Sequence, residues 1–171
     1  MRLYGSKINQ LKADIVRALI DKELIEVEGA SVSEVELDVE SVLREYLRAE
    51  RQLTEEAKDL AQSRGLDYGA HQKIKRQLAD RRKFGLYEDA VGYIANQVIE
   101  TLLHTQHVEE IYGEDHQLRA NIAPVLKKHM GDQDRLDQEV RRRIKNLEEG
   151  TQDWEIRYRQ TLERLKGLRG D

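Results

Sequence analysis

The densest run of one chemical type in the sequence is a basic segment near its middle. Residues 71–83 include six cations and a single acid, Asp80; the cations are Lys73, Lys75, Arg76, Arg81, Arg82 and Lys83. On a helix Lys75 and Arg82 share one face with His71, and Arg76 and Lys83 lie beside it. Such a face can bind several phosphates, and arginine can bind them through two hydrogen bonds. These six residues are therefore candidates for an anion-binding or nucleic-acid-binding site.

A structural role for the same segment stays open beside this one. Its cations would then form a solvated outer face and pair with the acidic helix that carries Glu55, Glu56 and Asp59. No aromatic residue is interleaved with the cations to stack on bases, and the net charge of -4 argues against general coating of nucleic acid. A second cationic run, Arg141 to Arg143 with Lys145, points around a helix instead of along one face, which favours solvation or ion pairing there.

Histidines provide a second, weaker candidate. His104 and His107 are three residues apart, and Glu110, Asp115 and His116 follow them. Zinc accepts ligands of these types, but their spacing matches no established zinc signature. Half-buried packing histidines with one hydrogen bond each are the alternative, and we predict no metal ligand. A metal-dependent enzyme is kept as a third hypothesis.

Other catalytic patterns are missing from the sequence. It contains no phosphate-cradling glycine-rich loop, no nucleophile elbow and no metalloprotease helix motif. We therefore predict no catalytic residue, no cofactor and no enzymatic activity. The sequence has no cysteine, which fits a reducing compartment, and no apolar run long enough for a membrane span or a signal peptide. These features predict a cytoplasmic protein.

Long charged helices must position any such residues. Charged residues make up 36% of the chain and aromatic residues 5%, a composition typical of aliphatic helical packing. Apolar residues recur every three or four positions from Ile8 to Leu19 and again from Val35 to Leu60, which predicts amphipathic helices. The segment 25–27 is the one strand signal, and it is too short to pair convincingly. Pro124 lies within a predicted helix, and Gly131 and Gly150 are possible breaks.

The apolar pattern occurs twice. Residues 3–57 align without a gap with residues 86–140. The aligned pairs include Leu3 with Leu86, Ile8 with Val91, Leu11 with Ile94, Val35 with Leu118, Val39 with Ile122, Leu43 with Leu126 and Leu53 with Leu136. Because identities are few, the repeat specifies burial and not chemistry. It predicts an all-α bundle built from two pseudo-repeated helical hairpins: residues 1–65, a basic connecting helix in 66–85, and residues 86–171 with a long C-terminal helix.

Four short stretches carry a resemblance to a known family: Met1-Arg2-Leu3-Tyr4, residues 74–79, residues 103–110 and residues 114–119. In these stretches the chain resembles the bacterial domain-of-unknown-function family 507. The resemblance implies an all-helical, elongated molecule with a bundle stalk and a smaller head. It implies no activity, so no catalytic residue is carried over from it.

Together these observations predict a non-enzymatic interaction or scaffold protein that uses exposed helical faces. We expect a protein partner, no membrane association, and a monomer rather than an oligomer. Binding of nucleic acid through the helix of residues 71–83 is the alternative.

Overall fold

The computed structural model describes the backbone of residues 1–169 and their side chains, except those of Tyr68, Gln133 and Arg169. Over that range the chain is helical, and the predicted all-α bundle is confirmed. The helices are α1 (Ile8–Asp21), α2 (Val32–Ser63), α3 (His71–Arg82), α4 (Ala90–His104), α5 (Asp115–Arg143) and α6 (Gln152–Arg169). Short 3₁₀ helices at Gly5–Lys7, Gly29–Ser31, Tyr68–Ala70 and Tyr87–Asp89 precede α1 to α4. None of the helices in this range is both long and apolar enough to cross a bilayer.

A pair of two-residue strands connects the helices. Strand β1 (Ile25–Glu26) pairs antiparallel with β2 (Glu110–Ile111). The expectation that the segment 25–27 is too short to pair is therefore wrong. The physical reason lies outside the local sequence: the links from α1 to α2 and from α4 to α5 run side by side. The N–H groups of Tyr112 and Gly113 both donate to the carbonyl of Leu24, at 2.9 and 3.1 Å, and extend this contact.

The chain separates into two compact units, residues 1–130 and residues 131–171. In the first unit the main core joins α1, the first half of α2, α4 and α5 as far as Met130. A second core lies where Leu53, Ala57 and Ala61 of α2 pack on Ile74 and Leu78 of α3. The sequence predicts a division at residues 65 and 85 into helical hairpins, which is a different kind of division, and it stays a prediction.

The second unit has its own small core. Leu136, Val140, Ile144 and Leu165 are buried there, and Trp154, Tyr158 and Leu162 of α6 pack on them. Helix α5 continues through Gly131 and ends at Arg143. Of the two possible breaks, Gly150 is the one that lies in the link between α5 and α6. Gly150 has φ 90°, a conformation that favours glycine. Residues 170 and 171 lie outside the described residues.

Burial follows the aligned segments closely. Both members are buried in the pairs Leu3 and Leu86, Ile8 and Val91, Leu11 and Ile94, Val35 and Leu118, Val39 and Ile122, Leu43 and Leu126, and Leu53 and Leu136. Val42 and Val125 are both half-buried. This agreement supports the repeat, and the predicted superposition of the two helical hairpins stays a prediction.

The turn between α3 and α4 is held by a close contact at Gly85. The Tyr46 hydroxyl donates to the carbonyl oxygen of Gly85 at 2.8 Å, inside the core. A Cβ atom built on Gly85 would lie 2.4 Å from the Tyr93 Cβ and 2.6 Å from the backbone oxygen of Asp89. These contacts are shorter than van der Waals distance, and the second is with backbone that cannot rotate away.

We expect Gly85→Ala to lower the free energy of unfolding by about 1–3 kcal/mol, as overpacking usually does. Gly92→Ala is the matched control, because no atom lies within 4 Å of its added Cβ and Gly92 is exposed within α4. There alanine should stabilise the helix by about 0.5–1 kcal/mol. Denaturant unfolding measures both, and equal effects of the two substitutions would contradict the close contact.

Candidate functional site

The basic segment forms helix α3, and its predicted phosphate-binding face packs on α2. His71 and Lys75 are buried, and Lys75 Nζ donates to Glu50 Oε1 of α2 at 3.0 Å. Arg82 Nη2 lies 2.8 and 2.7 Å from the two carboxylate oxygens of Glu56. On this face the Lys75 and Arg82 side chains are therefore directed at acidic residues of α2, which agrees with the ion-pairing interpretation. Anion binding by these residues stays a prediction.

Besides Lys75 and Arg82, the basic segment has four candidate cations. All four are exposed: Lys73, Arg76, Arg81 and Lys83. The Arg76 guanidinium lies 5.3 Å from the centre of the Tyr87 ring, a cation–π distance. Lys83 ends α3 in the left-handed conformation, at φ 53°. Anion binding by these four residues stays a prediction. In the second cationic run, Arg141 pairs with Asp137 and Glu149, which agrees with the ion-pairing interpretation.

The Lys75–Glu50 pair is a structural element of the core. Both side chains are almost fully buried, at 8% and 9% exposure, and Arg2 Nε lies 3.9 Å from the same Glu50 oxygen. A buried charge without its partner is strongly destabilising, whereas a matched apolar replacement of both partners is often neutral. The pair therefore fixes how α3 docks on α2 more than it adds stability.

The candidate histidine ligands do not come together. His104 Nδ1 lies 2.7 Å from the carbonyl oxygen of Glu100, and His116 Nδ1 lies 3.3 Å from a carboxylate oxygen of Glu114. His107 instead contacts Asp38 of α2. Among the residues that the structure describes, no group of three or more histidine or carboxylate side chains is arranged to hold a metal ion.

Asp38, Thr105 and His107 form a polar cluster with the residue types of a nucleophilic triad. The Thr105 hydroxyl donates to Asp38 Oδ2 at 2.6 Å, and His107 Nδ1 lies 3.1 Å from that oxygen and 3.2 Å from the hydroxyl. In a working triad the histidine uses one ring nitrogen for the acid and the other for the nucleophile. Here both contacts fall on Nδ1, and the threonine proton is directed to the acid. The geometry joins α2 to the end of α4 and does not activate Thr105.

An open groove lies between α2 and α4 in the first unit. The two helices run antiparallel, since Tyr46 contacts Tyr93 at one end and Asp38 contacts Thr105 at the other. We call it the α2–α4 groove; its cavity measures about 340 Å³. Its floor consists of Val42, Tyr46, Ala49, Phe84, Tyr93 and Ile94, and its rim of Asp38, Ser41, Glu45, Gln97 and Thr101.

A second cavity adjoins the groove at the end of α4. It measures about 430 Å³ and is lined by Asp38, Glu100, Thr101, His104 and Thr105. Since Asp38 and Thr101 line both cavities, the two form one continuous surface. Its acidic members are Asp38, Glu45 and Glu100, and within the part of the chain that the structure describes neither cavity is lined by a lysine or an arginine.

Three aromatic rings lie at one end of the groove. Tyr46 stacks on Phe84 with ring centres 4.9 Å apart, and Tyr93 lies 4.9 Å from Phe84 and 6.0 Å from Tyr46. The bond from Tyr46 to Gly85 fixes the rings against the α3–α4 turn. Burial raises the pKa of the Tyr46 hydroxyl well above its ordinary value, with a further contribution from the charge of Glu50. The hydroxyl therefore stays protonated and remains a hydrogen-bond donor.

The positions that the alignment pairs with Tyr46 and Gln97 carry different chemistry. His129 stands at the position of Tyr46 and Asp14 at that of Gln97. His129 Nε2 and Asp14 Oδ2 are 2.9 Å apart and join α5 to α1. Thus a polar contact bridges α5 and α1 at the place equivalent to the one where aromatic rings line the open groove between α2 and α4.

Sequence reasoning missed this groove. It gave no binding role to Tyr46, Phe84 or Tyr93, whose rings line the groove. The available signal was the mismatch between aligned positions, Tyr46 against His129 and Gln97 against Asp14, in segments whose apolar residues otherwise agree.

One family of known proteins matches the chain. The model of one family, described as a protein of unknown function (DUF507), matches residues 1–170. No curated protein matches the chain. The comparisons thus support the resemblance found in the sequence and assign no activity.

We expect Lys75→Met to lower the free energy of unfolding by about 3–5 kcal/mol, because it leaves the buried Glu50 carboxylate without its main partner. The double variant Lys75→Met with Glu50→Met should recover most of that loss. Arg82→Met is the control, since its pair with Glu56 is half-exposed and should contribute only about 0–1 kcal/mol. Denaturant unfolding distinguishes these variants, and equal losses in Lys75→Met and Arg82→Met would contradict the structural role.

The nucleic-acid alternative predicts a distinct salt dependence. About four neutralised phosphates, one each for Lys73, Arg76, Arg81 and Lys83, would give a slope of log affinity on log salt of about -4. We expect no measurable binding of duplex or single-stranded oligonucleotides near physiological salt, by fluorescence anisotropy. Binding with that slope, and its loss in the double variant Arg76→Glu with Arg81→Glu, would contradict this expectation and establish the alternative.

Proposed function

We propose that this chain, which belongs to the DUF507 family, is a non-enzymatic protein-interaction module that binds its partner in the α2–α4 groove. The observation that carries the proposal is the groove itself, an open apolar floor with a polar rim between two packed helices. Concave surfaces with an apolar floor and a few convergent polar groups are the usual binding sites of proteins.

The composition of the floor supports the same proposal. Tyr46, Phe84 and Tyr93 provide aromatic area, which dominates the energetics of protein interfaces. Exposed polar side chains surround them, including Glu45 and Gln97 on the rim. An apolar centre with a polar border is the common anatomy of an interaction surface.

Two observations favour binding over catalysis. In the Asp38–Thr105–His107 cluster, the hydroxyl bonds to the acid and leaves the second ring nitrogen of His107 out of the contact. The charged pairs of α2 and α3 are likewise used to join helices. Asp38, which lines the groove, therefore has structural partners in Thr105 and His107.

Blocking the groove with a large neutral side chain tests the proposal. Ala49→Trp and Gln97→Trp each place an indole in the groove, from α2 and from α4 respectively. Gln62→Trp is the matched control, exposed on α2 and about 20 Å along the helix from Ala49. All three should keep the melting temperature of the parent chain within a few degrees.

We expect crosslinking capture from the native cell to recover a protein with the parent chain and with Gln62→Trp. The same protein should be at least about ten-fold depleted with Ala49→Trp and with Gln97→Trp, because a blocked groove excludes close packing. Quantitative mass spectrometry measures the ratio. Identical sets of captured proteins from all four chains would overturn the proposal.

A further inference from the structure

The residues of the groove also indicate which class of protein binds there. This inference rests on the proposed function. We propose that the α2–α4 groove binds a cationic amphipathic helix of another protein. Three features carry this inference: the spacing of the floor residues, the length of the groove and the sign of the charges along it.

The floor has the spacing that a third helix requires. On α2 its members are Val42, Tyr46 and Ala49, in steps of four and three residues, and between them they leave a row for side chains of a packed helix. Helices bind in such grooves through apolar residues at positions i, i+3 or i+4, and i+7. An extended strand would leave its backbone groups unpaired against the side chains of two helices, since α2 and α4 offer no open backbone edge.

The length of the groove corresponds to about three helical turns. From Asp38 to Ala49 along α2 the distance is about 17 Å at 1.5 Å per residue. A helix of about 11 residues spans it, with three or four apolar side chains directed at the floor.

The charges along the groove select a cationic partner. Asp38, Glu45 and Glu100 border the two joined cavities and His104 lines the second, whereas no lysine or arginine among the described residues lines either of them. Glu100 and Glu45 are exposed, whereas Asp38 is half-buried and already bonded to Thr105. Glu45 also pairs with Arg48 at 2.7 Å, but exposed pairs within one helix contribute little, so a cation of the partner can replace Arg48. Glu45 and Glu100 are therefore the specificity-determining residues.

Two synthetic peptides of about 14 residues test this inference on the full chain. Both carry leucine at helical positions i, i+4, i+7 and i+11; one has lysine at the outer positions and the other has glutamate. Fluorescence anisotropy at about physiological salt gives their affinities, and amide chemical-shift mapping locates the bound peptide. The charge test is the double variant Glu45→Lys with Glu100→Lys. Glu55→Lys with Asp59→Lys is its control, with the same change of net charge on exposed residues nearer the C-terminal end of α2.

The lysine peptide should bind at least about ten-fold more tightly than the glutamate peptide and should shift amides of α2 and α4 along the groove. The groove variant should reverse this preference, and the control variant should keep it. Equal affinities of the two peptides, equal effects of the two double variants, or shifts on another surface would overturn the inference. So would sedimentation showing that a second copy of the chain covers the groove.

The outcome is separable from that of the proposed function. If Ala49→Trp depletes the captured protein and the peptides show no charge preference, the interaction function stands and the cationic helix is wrong. If the blocking variants change nothing and the peptides do not bind the groove, both fall.

Discussion

Helix α2 has to bury a stripe that is longer than any one neighbour can cover, and the architecture of the first unit follows from this constraint. Thirty-two residues make a rod of about 48 Å. Its first half packs into the four-helix core, and its second half would expose Leu53, Ala57 and Ala61 without α3. Helix α3 covers them, and the Lys75–Glu50 pair fixes where it docks. At the junction of the two cores, around Tyr46 and Glu50, the chain places its aromatic rings and its buried charge pair.

The paired strands fit an approximate two-fold relation between the aligned segments. In the alignment Glu26 corresponds to Glu109, and in the structure Glu26 pairs with the next residue, Glu110. A two-fold axis between two equivalent links requires such a self-complementary antiparallel pairing. The same pairing brings carboxylates together. The pKa of Glu109 is raised because its protonated carboxyl donates a hydrogen bond to the Glu28 carboxylate, and because the negative charge of Glu28 lies close to it. The buried positions agree between the two aligned segments, whereas the chemistry differs between two equivalent helix contacts: aromatic rings line the groove between α2 and α4, and His129 contacts Asp14 between α5 and α1.

Periodicity was enough to predict the helices and the buried partners, because apolar side chains at helical spacing have few other ways to leave water. Leu43 and Leu126, for example, are both fully buried, as the alignment predicted. The role of Lys75 was not predictable in this way, since a lysine in a basic segment looks exposed until α2 brings Glu50 to it. The pairing of β1 with β2 was not predicted for the same reason, because a two-residue strand is determined by its partner and not by its own sequence. Predicting the groove would have required knowledge of two tertiary features, the contact between α2 and α4 and the turn at Gly85.

The α2–α4 groove, which we propose as a binding surface, is rigid, and this distinguishes it from a packing defect. A loose gap in a helical bundle closes when neighbouring side chains change rotamer. Here Tyr46 is held by its bond to Gly85, Phe84 stacks on it, and Tyr93 lies against both. Because these rings restrain each other, the floor keeps its shape without an occupant, and a partner loses little of its binding free energy to ordering it. Glycine at position 85 is the residue that allows this arrangement, since any side chain there would collide with Tyr93 and the Asp89 backbone.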